Sequence, residues 1–191
     1  FVEFPPFVSE VLFFPGCFLR CNYCYNGNVV NYKAEKDPSP LCLSQVVADL
    51  RKPYRREFTD AIVISGGDPL IHLSNKEFID TIHTLSGLGY KLRIDTSFLS
   101  EKPLREYEGI ESLMRNVSFG ITIKPLKYYG PKFPDILKDN LTFLIEHHKK
   151  RPYVHNSLRF TIPGGSGLEE LRNSVQLFHP LLFKEKELWS N

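Results

Sequence analysis

Ala61-Ile62-Val63-Ile64-Ser65-Gly66-Gly67-Asp68-Pro69 is a short β-branched run that stops in two glycines, an acid and a proline. Such a run, bounded by breakers, reads as a buried strand followed by a sharp turn. Working outward, the same unit recurs about five times, with strands expected at residues 10–14, 61–65, 91–95, 118–123 and 157–162. Helical spacing fills the intervals. Leu137, Leu141 and Leu144 fall at i, i+4 and i+7, and Leu168, Leu171, Val175 and Phe178 keep a similar stripe, the pattern of an amphipathic helix lying on a sheet. Residues 33–40 and 128–134 read as surface loops, and the basic run 147–151 as a solvated helix end.

Alternating strands and helices imply a parallel sheet with helical crossovers, either an open doubly wound sheet or a complete or partial barrel. Such sheets carry their chemistry at the carboxyl ends of the strands. All the unusual segments fall there: a cysteine-rich loop after the first strand, Gly66-Gly67-Asp68-Pro69 after the second, Asp95-Thr96-Ser97 ending the third, Lys124 ending the fourth and Pro163-Gly164-Gly165 after the fifth.

Composition narrows the class. The chain has 191 residues, 42% hydrophobic and 24% charged, which fits one globular domain, residues 1–191, rather than a disordered or membrane chain. A net charge of +2 gives no footprint of a nucleic-acid binder. The apolar run 11–14 is far shorter than the roughly 20 residues that cross a bilayer, so no membrane is expected. The chain begins at Phe1 with no initiator methionine, basic leader or cleavage site and is read as cytoplasmic.

Of 4 cysteines, Cys17, Cys21 and Cys24 crowd into one short segment while Cys42 stands apart. Thiolates are soft donors suited to zinc or to iron–sulfur clusters, and a short loop can wrap three of them round one inorganic body. Three is the informative count, since a four-iron cluster with three cysteines keeps one iron free for another ligand. The alternative is a structural zinc, whose closed shell would need Cys42 or a distant histidine such as His72. A disulfide would leave one thiol over and close a very short loop. Cys42 reads as a buried small hydrophobe. No histidine pair has a metalloprotease spacing.

The spacing Cys17-x-x-x-Cys21-x-Tyr23-Cys24 after a first strand, with Gly66-Gly67-Asp68-Pro69 after the second, resembles the radical S-adenosylmethionine (SAM) family. Phe13-Phe14-Pro15-Gly16-Cys17-Phe18-Leu19-Arg20-Cys21 and Tyr23-Cys24-Tyr25-Asn26 are most similar to the enzymes that activate glycyl radical enzymes, in particular the group acting on anaerobic ribonucleoside-triphosphate reductase. Phe1-Val2-Glu3-Phe4-Pro5 resembles the segment before the first strand in that group.

The resemblance implies an α/β fold, a partial (β/α)6-type TIM barrel with a parallel, laterally open sheet, and so a sixth strand after the last helix. It implies a 4Fe-4S cluster on Cys17, Cys21 and Cys24, with SAM on the free iron. Tyr23 would set its ring against the adenine; Tyr25 stands where many activators have histidine. Gly66 and Gly67 would admit the ligand, Asp68 would meet its amino group, Asp95 and Thr96 its ribose, and Lys124 its carboxylate. Arg159 would add a carboxylate or ribose contact. Asp68 replaces the more usual glutamate, and Thr122 an expected aspartate. The implied activity is reductive cleavage of SAM and hydrogen abstraction from a glycine of a partner glycyl radical enzyme, fed by a flavodoxin- or ferredoxin-like electron donor. Radical SAM chemistry on a small molecule or peptide, and a zinc-stabilised binding module, are the competing readings.

Overall fold

The computed structural model describes residues 3–33, 41–148, 156–161, 163 and 168–182. Five strands, β1 (Ser9–Phe14), β2 (Ala61–Gly66), β3 (Lys91–Thr96), β4 (Val117–Ile123) and β5 (Ser157–Phe160), form one sheet in chain order, and every pair is parallel. Each expected strand is present within a residue or two. The fifth is shorter than expected, although Thr161 N still donates to Ile123 O at 2.9 Å. The position expected for a sixth strand, beyond residue 182, lies outside the described residues.

Among the described residues, six helices fill the crossovers, α1 (Gly27–Val30), α2 (Leu43–Leu50), α3 (Pro53–Phe58), α4 (Lys76–Gly87), α5 (Ile110–Asn116) and α6 (Phe133–His148), and α7 (Leu168–Leu182) follows β5. Local chemistry starts them. Asn75 Oδ1 accepts from Glu77 N at 2.9 Å to cap α4, and Pro53 opens α3 where a missing N–H costs nothing. The expected loop over 128–134 is shorter, because α6 already begins at Phe133.

The two faces of the sheet differ in chemistry. On the outer face Ile62, Ile64, Leu92, Ile94, Phe119, Ile121 and Ile123 meet Phe78, Ile82 and Leu85 of α4, Leu113 and Met114 of α5, Leu137, Leu141 and Leu144 of α6 and Phe178 of α7, forming the main core. The stripe expected on α7 holds at Phe178, but Leu168 is 81% exposed at the first helical position.

The inner face holds the alternate residues. Its lower end is closed by Phe4, Phe7 and Val11 against Ala61 and Val63. Above these come the small or polar residues Ser65, Arg93, Asp95, Ser118, Gly120, Thr122, Ser157 and Arg159, of which Ser65, Asp95, Thr122 and Arg159 border a pocket at the carboxyl rim. The result is a partial barrel, open at the side, with β1 and β5 as its edges.

Candidate metal centre

The cysteine loop leaves β1 and is riveted to the turn after β2. Gly67 N donates to Phe14 O at 2.9 Å and Asp68 N to Gly16 O at 2.8 Å. Asn26 Nδ2 donates to Gly66 O at 2.9 Å, and His72 Nε2 lies 2.8 Å from Pro15 O. The two backbones pass so closely that a Cβ on Gly67 would sit 1.8 Å from Gly16 O, and one on Gly66, whose φ is +115°, 2.5 Å from Phe14 O. Both glycines line the pocket described below, yet the approach they permit is first that of the cysteine loop.

Within the loop Arg20 Nη1 donates to Cys17 O at 2.6 Å and Leu19 O at 2.9 Å, and Leu19 N donates to Cys17 Sγ at 3.3 Å. Cys17 and Cys21 are half-buried, Cys24 is exposed, and none is in a disulfide. Burial, with the Asp68 charge behind it, pushes the Cys17 thiol up to about 11. Burial also raises Cys21, opposed by the Tyr23 hydroxyl and the Lys124 charge. Burial and the neighbouring Cys21 raise the Tyr23 phenol.

The three thiols line one concave pocket of about 400 Å³ at the carboxyl ends of the strands, together with Tyr23, Tyr25, Gly66, Gly67, Asp95, Thr96, Lys124 and Arg159. The ends of β2, β3, β4 and β5 contribute to its wall, and the loop after β1 supplies the thiols. Among the described residues no three His, Cys, Asp or Glu side chains converge as ligands of a single metal ion. The other candidates for a zinc shell lie outside this pocket: His72 is bonded to Pro15 O, and Cys42, expected to be buried, is exposed at the start of α2. Three soft donors round an open pocket, with no fourth beside them, suit an iron–sulfur cluster better than a closed zinc shell.

The remaining expected residues differ in how they meet this pocket. Tyr25 is 94% exposed at its rim. The Lys124 ammonium forms no ion pair with a described residue, and its backbone N–H donates to the Tyr129 hydroxyl at 2.9 Å. Asp95 accepts from Arg93 Nε at 2.7 Å and Arg159 Nη2 at 3.3 Å, both on Oδ1. Thr96 reaches the pocket wall, but its hydroxyl donates to Asp68 and accepts from Phe98 N.

Asp68 is the departure. It is 0% exposed and is not part of the pocket wall. Its carboxylate accepts from Thr96 Oγ1, from Ser97 N at 3.0 Å and from Leu70 N at 3.4 Å. Instead of reaching a ligand, it ties the turn after β2 to the turn after β3. Burial raises its carboxyl above the usual range, while these three donors pull the other way.

Reading the sequence missed Arg93 and Gly120. Arg93 is 7% exposed, bonds Asp95 and Ser157 Oγ (2.9 Å), and lies over the Phe4 ring at 5.6 Å. It crosses β4 at Gly120, where a Cβ would fall 1.9 Å from Asp95 Oδ1 and 2.3 Å from Arg93 Nη2. An arginine inside a strand pattern, two residues before an aspartate on the same face, was the available signal. Asn22 was missed as well: it accepts from the Tyr128 hydroxyl and anchors the segment after β4 to the cysteine loop.

A parallel, laterally open α/β barrel with three thiols of one loop at its carboxyl rim defines a radical SAM-type iron–sulfur domain. The family model described as a 4Fe-4S single cluster domain matches residues 8–122, and the chain belongs to that family. It is 27% identical over 137 residues to a protein of Methanocaldococcus jannaschii named as a glycyl-radical enzyme activating enzyme, covering 72% of this chain and 50% of that protein. It is 32% identical over 94 residues to the pyruvate formate-lyase-activating enzyme of Clostridium pasteurianum, covering 48% of this chain and 37% of the relative. The chain thus spans half or less of the length of these two relatives. In fold it is similar to Streptococcus suis SuiB bound to S-adenosylmethionine, with a TM-score of 0.63 at 13% identity, covering 91% of this chain and 38% of the other.

Proposed function

We propose that the chain is a radical SAM activase, with a 4Fe-4S cluster on Cys17, Cys21 and Cys24 and SAM in the adjoining pocket, that raises a glycyl radical on a partner of the anaerobic ribonucleotide reductase type. The observation that carries this reading is the gathering of three thiols and the ends of β2, β3, β4 and β5 round one cavity of about 400 Å³. The activating-enzyme relatives support it further. Cys17, Cys21 and Cys24 would hold the cluster, which would supply the electron for reductive cleavage of SAM and so the means of taking hydrogen from a glycine.

The protein's own groups would do the holding. Gly66 and Gly67 present bare backbone to the ligand, and the unpaired Lys124 ammonium meets the SAM carboxylate. Asp95 has both its bonds on Oδ1, so Oδ2 is left to accept from a ribose hydroxyl. Arg159, half-exposed and steered by Asp95, guards the same wall. Tyr23 lines the adenine side. Asp68 acts from behind, by holding the turns that carry these groups. Residues 1–191 would form a single cytoplasmic domain. A flavodoxin- or ferredoxin-like donor would approach where Cys24 and Tyr25 are exposed.

A peptide substrate is the second reading, favoured by the similarity in fold to SuiB bound to the precursor peptide SuiA, with a TM-score of 0.59. Anaerobic reconstitution with iron and sulfide, followed by a chemical reductant and SAM, should release 5′-deoxyadenosine. Adding a candidate glycyl radical enzyme should give a SAM-dependent glycyl radical signal in electron paramagnetic resonance. Deoxyadenosine without that signal, across candidate partners, would favour the peptide reading. Stoichiometric zinc in place of iron would end both.

A further inference from the structure

Arg93 is a buried cation that does not itself line the pocket. Apolar side chains of similar size in place of a buried ion pair are often neutral or stabilising, so packing alone does not call for an arginine inside β3. What the guanidinium does is hold a carboxylate. Its Nε donates to Asp95 Oδ1 at 2.7 Å and its Nη2 to Ser157 Oγ at 2.9 Å, while the group lies over the Phe4 ring. Gly120 leaves the space it crosses, since a Cβ there would fall 2.3 Å from Nη2.

Asp95, by contrast, does line the pocket. Both of its bonds fall on Oδ1, and none from a described residue reaches Oδ2. The second donor, Arg159, is half-exposed and more distant at 3.3 Å, so it fixes the carboxylate less firmly than Arg93 does. A carboxylate pinned through one oxygen by a rigid cation presents the other in a fixed direction, which suits a hydroxyl that donates. Of the groups on SAM, only the ribose carries hydroxyls.

We propose that Arg93 is the positioning residue that aims Asp95 Oδ2 at a ribose hydroxyl of SAM, and so sets how strongly the pocket selects the ribonucleoside over its deoxy form. This rests on the reading made above that the pocket takes SAM and that Asp95 meets its ribose. Arg93 touches no ligand and acts through Asp95 alone. Without it the carboxylate is left to Arg159, whose own side chain is half in solvent.

The test is equilibrium dialysis of SAM and of its 2′-deoxy and 3′-deoxy analogues against the anaerobically reconstituted, unreduced protein, so that binding is read without turnover. Wild type should hold SAM about tenfold or more tighter than one of the two analogues, the worth of a hydrogen bond to a charged group. Arg93→Gln should lose most of that factor, binding SAM more weakly and the disfavoured analogue as wild type does. An equal loss for all three ligands would make Arg93 a packing residue and overturns the inference, as does an unchanged factor. Should Arg93→Gln fail to fold, Ser157→Ala, which releases only the far end of the guanidinium, should narrow the factor, and no narrowing overturns the proposal. Wild type that binds SAM and releases 5′-deoxyadenosine yet holds all three ligands alike overturns the inference and leaves the activase reading standing. Wild type that binds no SAM overturns both.

Discussion

Gly120 acts by having no side chain. Arg93 and Asp95 meet across it, so Gly120→Ala would drive a methyl group into a buried ion pair. Overpacking of this kind costs about 1–3 kcal/mol, and the urea midpoint should fall accordingly. Asp68 makes a prediction of opposite character. Its folded carboxyl is raised above the ordinary 3.8, so the folded state keeps a proton that the unfolded state has already released. Stability from this group is therefore present below the unfolded value and declines as pH rises through the folded one. Asp68→Asn should flatten that decline, read from urea midpoints measured across the acid range. A slope identical to wild type would mean that Asp68 does not titrate in this window. Cys21→Ala should abolish iron uptake and visible absorption, whereas Cys42→Ala, at the exposed start of α2, should leave both intact.

Among the elements, α6 and the cysteine loop do different work. The helix is a packing device: Leu137 and Leu141 are fully buried against the sheet. Leu141→Ala should cost about 2–5 kcal/mol with iron content per folded molecule unchanged. The loop inserts Leu19 into the core and is held to the turn after β2 by hydrogen bonds. Asn26→Ala removes the bond to Gly66 O. The expected outcome is faster loss of iron to a chelator with little change in unfolding midpoint, because the loop loosens while the core stays packed.

For the molecule as a whole, the architecture keeps stability and chemistry on opposite faces of one sheet. The outer face is apolar and packed under helices; the inner face is polar and hollow toward the carboxyl rim. Such a division lets the cavity stay open without emptying the core. Among the described residues no helix is long and apolar enough to cross a membrane.

The sequence by itself determined the parallel alternation, the five strands, the three thiols and the rim on which they lie. These follow from local patterns, β-branched runs, breakers and cysteine spacing, which need no knowledge of what lies across the fold. Only the tertiary structure decided that Asp68 faces Thr96 and Ser97, that Gly67 makes room for Gly16, and that Arg93 spans Gly120 to Ser157. Each of these joins residues far apart in the chain, and a side chain's partner there depends on strand register and on the closeness of two backbones, quantities that periodicity does not encode.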